Sequence, residues 1–75
     1  MSYYKDQQIA FKDLDKLLIA LKKQQEDVTI TFITYELTKE HPVSPKVIKQ
    51  RIINWAEIND VLVINDFLKF SKVKN

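Results

Sequence analysis

The chain has 75 residues, 45% of them hydrophobic and 29% charged, with a formal net charge of +2 at pH 7. That is the length of one domain, with enough apolar side chains for a core but little surplus stability. Cysteine and glycine are both absent, which excludes a disulfide framework, a thiolate metal site and a glycine-rich phosphate loop.

The opening MSYYKDQQ has no apolar signal core. No apolar run approaches the ~20 residues needed to span a bilayer. The expectation is a soluble, cytoplasmic protein. Residues 1–10 read as an N-terminal arm, marked by Tyr3 and Tyr4, ahead of one domain over 11–75. From Phe11 to about Gln25, Leu14, Leu17, Leu18 and Leu21 fall at helical spacing and predict an amphipathic helix. Val28-Thr29-Ile30-Thr31 is β-branched throughout and predicts a short strand that needs a later partner. A second helix is expected from about Phe32 to Glu40, with Thr31 as its N-cap and Ile33 and Leu37 facing inward. Pro42 disfavours helix at His41 and ends it.

Ser44-Pro45 is a helix start: a side-chain acceptor, then a residue that needs no hydrogen bond at the first helical position. The third helix runs from there to about Ile58. Ile48, Ile52, Trp55 and Ala56 share one face; Lys46, Gln50, Asn54 and Glu57 share the other, flanked by Lys49 and Arg51. Leu17, Leu21, Leu37, Ile48, Ile52 and Trp55 form the expected core. Without glycine, turns of positive φ fall to Asn or Asp, so Asn59 is the expected left-handed cap. Val61–Ile64 and Phe67–Phe70 flank Asn65-Asp66 and predict a hairpin, with Ile64 opposite Phe67, Val63 opposite Leu68 and Leu62 opposite Lys69. Faces alternate along a strand. Val61, Val63, Leu68 and Phe70 therefore turn inward, and Leu62, Ile64 and Phe67 make an apolar outer face.

The fold class is thus α+β, in the order helix, strand, helix, turn, helix, two-stranded wing, with a three-helix core and a small antiparallel sheet. The segment ELTKEHPVSPKVIKQRIINWAEIND resembles the core of bacterial winged helix-turn-helix regulators. Glu36-Leu37 stands at that family's Glu-Leu and Val43-Ser44 at its Val-Ser. Ile48, Ile52 and Trp55 stand at the apolar positions of its recognition helix. The resemblance covers roughly residues 14–71. Pro42, Thr38 and Asn59 depart from it, each replacing a residue that is usually Gly or Ala.

The resemblance implies sequence-specific binding of double-stranded DNA, in the service of transcription or replication, with the third helix in the major groove. Lys46, Lys49, Gln50 and Asn54 are then the candidate readers. Lysine donates to phosphate or guanine, and amides pair with adenine. Ser44 at the helix start suits a phosphate, and Lys69 and Lys72 would be backbone contacts from the wing. The bland reading is a solvated polar face. Arg51, nearer the apolar side, is expected to pair with Glu36 or Glu40. His41 reads as a turn residue, Trp55 as a core anchor, and no metal, cofactor or small-molecule substrate is expected. Asp13 and Asp15 point to different faces, so catalysis is not expected either. The apolar outer wing face motivates a second function, a protein-contact or adaptor module. It also motivates either a homodimer or coverage by the arm around Tyr3 and Tyr4.

Overall fold

The computed structural model describes residues 3–71, with side chains from Lys5 onward; the expectations for Lys72 and for the side chains of Tyr3 and Tyr4 lie outside the described residues. It is an α+β fold of three helices and one three-stranded antiparallel sheet. The elements are α1 (Tyr3–Gln24), β1 (Val28–Thr29), α2 (Ile30–Glu40), α3 (Pro45–Ile58), β2 (Leu62–Ile64) and β3 (Phe67–Lys69).

Helix α1 starts at Tyr3, well before Phe11, so residues 3–10 are helical where an arm was expected. Its buried edge is Ala10, Leu14 and Leu18, spaced by four, with Phe11, Leu17 and Leu21 packed beside them. Leu17 and Leu21 thus flank the core instead of forming its centre. The polar MSYYKDQQ stretch hides this start because it carries no hydrophobic periodicity.

The expected strand at 28–31 is cut to two residues, because helix α2 takes Ile30 and Thr31. Its N-cap is Thr29 and not Thr31. The Thr29 Oγ1 accepts from the Phe32 amide at 3.0 Å. Two further orphan amides are met by one residue of the hairpin turn: Ile30 N donates to the Asp66 carbonyl at 2.7 Å, and Thr31 N to Asp66 Oδ2 at 3.2 Å. A carboxylate at a helix N-terminus is doubly favourable, as an acceptor and as a charge against the helix dipole. The hairpin therefore caps α2 from a distance in sequence.

Helix α3 has the expected bounds. Ser44 Oγ accepts from the Lys46 amide at 3.2 Å, with Pro45 opening the helix. Its end differs by one residue from the expectation. Asn59 has φ −99°, and Asp60 takes the left-handed position with φ 58°. The Val61 amide donates to the Ala56 carbonyl at 2.8 Å, which closes the helix in a Schellman arrangement, while Asn59 Nδ2 donates to the Trp55 carbonyl at 2.9 Å. Gln25 and Asn65 are the other described residues in this region. Gln at such a position was not expected; it caps the end of α1, where the Glu26 amide donates to the Leu21 carbonyl at 3.3 Å.

The hairpin has the predicted register, Leu62↔Lys69, Val63↔Leu68 and Ile64↔Phe67. Strand β1 adds to its free side, pairing Val28↔Leu68 and Thr29↔Phe67, so β3 lies in the middle of the sheet. Leu68 points inward, fully buried, onto a core of Leu14, Leu18, Ile33, Ile48 and Ile52. Trp55 is half-buried at the rim, edge-to-face with Phe70 at 6.0 Å between centroids. No helix among the described residues is long and apolar enough to cross a membrane.

Candidate nucleic-acid interface

Helix α2 packs most extensively on α3, and the residues joining them form a tight turn. The His41 amide bonds back to the Leu37 carbonyl at 2.9 Å, and the Val43 amide to the His41 carbonyl at 2.8 Å. Val43 is buried and plugs the turn into the core. The packing of Ile48, Ile52 and Ala56 then fixes the rotation of α3 about its own axis. That rotation decides what the helix presents.

Lys46, Lys49, Gln50 and Asn54 are all exposed, on one side of α3. The structure therefore brings four of the predicted readers together. Among the described residues, Lys46 and Lys49 have no ion-pair partner. Gln50 Nε2 donates to Asn54 Oδ1 at 3.0 Å, one helical turn along. Ile53 stands in the middle of this face and is 43% exposed. Sequence reasoning passed it over. At about 100° per residue Ile53 falls between Lys49 and Gln50, so its position was readable, but it breaks no pattern that draws attention.

Ser44 is half-buried and engaged as the N-cap. Lys69 is less free than expected. Its Nζ pairs with Asp27 at 2.9 Å and lies 5.7 Å from the centre of the Phe67 ring. Asp27 also accepts from the Ser71 amide at 2.8 Å. That backbone donor, followed by the Lys69 ammonium, holds the Asp27 carboxyl down at about 2, against its ordinary 3.8. The outer face of the hairpin, which Lys69 shares as the partner of Leu62, matches its expected exposure, with Leu62 60%, Ile64 47% and Phe67 45% open.

Two assignments change. Arg51 pairs with neither Glu36 nor Glu40. Its Nη2 donates to Asp15 Oδ2 at 3.0 Å, and its guanidinium sits 4.4 Å from the centre of the Phe11 ring. It thereby fastens α3 to α1, while its side chain stays 40% exposed. His41 is more than a turn residue: its Nε2 lies 2.9 Å from Asp13 Oδ2, tying α1 to the end of α2. Asp13, Glu40 and His41 are the group among the described residues whose potential ligand atoms lie within 4.8 Å of one another. Asp13 and Asp15 of α1 face apart as expected, the first toward His41 and the second toward Arg51.

Comparison with family models, with curated proteins and with solved structures finds no match for this chain.

Proposed function

We propose that the chain is a winged helix-turn-helix module that binds double-stranded DNA, with α3 lying in the major groove. The observation that carries this reading is the exposed side of α3. It holds two lysines without an ion-pair partner among the described residues, two amides and a central aliphatic side chain, on a helix whose opposite face is locked into the core. Such a face combines phosphate contacts at its edge with base-edge donors and acceptors at its centre. The net charge is low, so affinity must come from local placement of charge and not from a broad basic field. The role that follows is regulation of transcription or replication.

The test is fluorescence anisotropy with labelled duplex DNA over a series of salt concentrations. If Lys46 and Lys49 contact phosphates, Lys46→Ala and Lys49→Ala each weaken binding to every duplex and each lower the salt slope by about 0.9. A folded quadruple alanine variant at Lys46, Lys49, Gln50 and Asn54 that binds as well as the parent would remove α3 from this role.

A second reading has its own observation. Leu62, Ile64 and Phe67 form an apolar outer face on the sheet, and such faces mark contact with another protein. The same fold would then act as an adaptor or pair with a second copy of itself. A folded chain with no salt-sensitive affinity for duplex DNA selects this reading over the first.

A further inference from the structure

The exposed face of α3 carries more than a general affinity for DNA, because its groups form a donor–acceptor pattern that base pairs either match or do not. The hydrogen bond from Gln50 Nε2 to Asn54 Oδ1 uses one donor of Gln50 and one acceptor of Asn54. Gln50 keeps one N–H and its carbonyl oxygen, the couple that meets adenine N7 and N6 together. Asn54 keeps both Nδ2 donors, which suit an acceptor such as thymine O4. Between Gln50 and Lys49 stands Ile53, 43% exposed. An aliphatic group facing the groove has one natural partner among the base edges, the methyl of thymine. Arg and Lys are the specific readers of guanine; the only Arg of the chain is tied to Asp15 and stacked on Phe11, toward α1, and Lys46 and Lys49 are taken as phosphate contacts in the reading above.

We propose that α3 selects A·T base pairs through the major groove, with Gln50 on adenine, Ile53 on the thymine methyl, and Asn54 holding the Gln50 amide in its reading orientation while donating to thymine. This deepens the DNA-binding reading above and rests on it. Asn54 acts in two ways, as a direct contact and as a positioning residue. The roles are coupled, so the effects of Gln50→Ala and Asn54→Ala on affinity fall short of additive in the double variant.

The experiment uses the full chain and three labelled duplexes of equal length at one salt concentration, built from A·T, G·C or inosine·cytosine pairs. Inosine·cytosine shows the minor groove of A·T and the major groove of G·C. Two further A·T duplexes carry 7-deazaadenine for adenine, which removes N7, or deoxyuridine for thymine, which removes the methyl. The expected result is A·T tighter than G·C, on the order of 5- to 150-fold per good bidentate contact, with inosine·cytosine behaving like G·C. Deoxyuridine weakens the parent but not Ile53→Ala. The 7-deaza duplex weakens the parent, weakens Asn54→Ala less, and leaves Gln50→Ala unchanged. Equal affinity for A·T and G·C, or inosine·cytosine binding like A·T, overturns the proposal while leaving DNA binding in place. Absence of salt-sensitive binding to every duplex overturns both, so the two failures are told apart. Ile53, Gln50 and Asn54 are exposed, and melting curves of the three alanine variants check that each is folded.

Discussion

Among the described residues, Asp27 is the one whose carboxyl stands clearly away from its ordinary state. It joins the loop before β1 to the end of β3 through the Ser71 amide and Lys69. Its carboxyl is held at about 2 instead of 3.8, first by the Ser71 backbone donor and then by Lys69. A carboxylate whose folded pKa is depressed contributes stability above its unfolded pKa, and that contribution disappears as pH falls through the folded value. The window here runs from about pH 4 down to about pH 2. Across it, the parent protein should lose thermal stability more steeply than Asp27→Asn. Melting curves at a series of pH values check this, and parallel curves for the two proteins contradict it. Single residues were legible in the sequence where the chemistry was local. Ser44 and Pro45 announced their helix start, and the amphipathic face of α3 announced Lys46, Lys49, Gln50 and Asn54. Long-range partners were not legible. Nothing near Arg51 points to Asp15, nothing near Lys69 points to Asp27, and Asp66 reads as a turn former before it reads as the cap of α2.

At the scale of elements, periodicity located all three helices and the hairpin, and the alternation of faces gave the register of β2 on β3. The boundaries moved for physical reasons. Strand β1 lost two residues because Asp66 and Thr29 together satisfy the first amides of α2, which makes helix the better use of Ile30 and Thr31. Helix α1 gained its first turns ahead of any apolar stripe. The core also shifted. Leu14, Leu18 and Ile52 are fully buried, whereas Leu17 and Trp55 are only partly so. Ile52→Ala removes a fully enclosed side chain and leaves a cavity, at a cost of about 2–5 kcal/mol. In a domain this small that is most of the total stability. Trp55→Ala loses the edge-to-face contact with Phe70, about 0.5–1.5 kcal/mol, along with half-buried area at the rim. Its cost should therefore fall below the ~3–5 kcal/mol of an enclosed tryptophan. Denaturant melts should rank Ile52→Ala as the less stable of the two variants; the reverse order would place Trp55 at the centre of the core.

The whole molecule presents two unlike surfaces, the polar side of α3 and the apolar outer face of the hairpin. Both were readable from the sequence, since each follows from a regular period once the elements are placed. What each surface meets depends on chemistry outside the chain. If the hairpin face pairs two copies, sedimentation at rising concentration should show a dimer that Leu62→Ser with Phe67→Ser abolishes without unfolding the protein. A monomer at high concentration leaves that face to another partner or to solvent. Two-fold pairing would also raise affinity for DNA, because a single small module buries only about 600–1,000 Å² on a duplex. Binding through α3 is tested most directly by amide chemical shifts of the labelled protein during titration with duplex DNA. The predicted result is a set of salt-sensitive shifts centred on Ser44–Asn54, with smaller shifts at Lys69. Shifts confined to the hairpin around Leu62, Ile64 and Phe67, or no shifts at low salt, would contradict it.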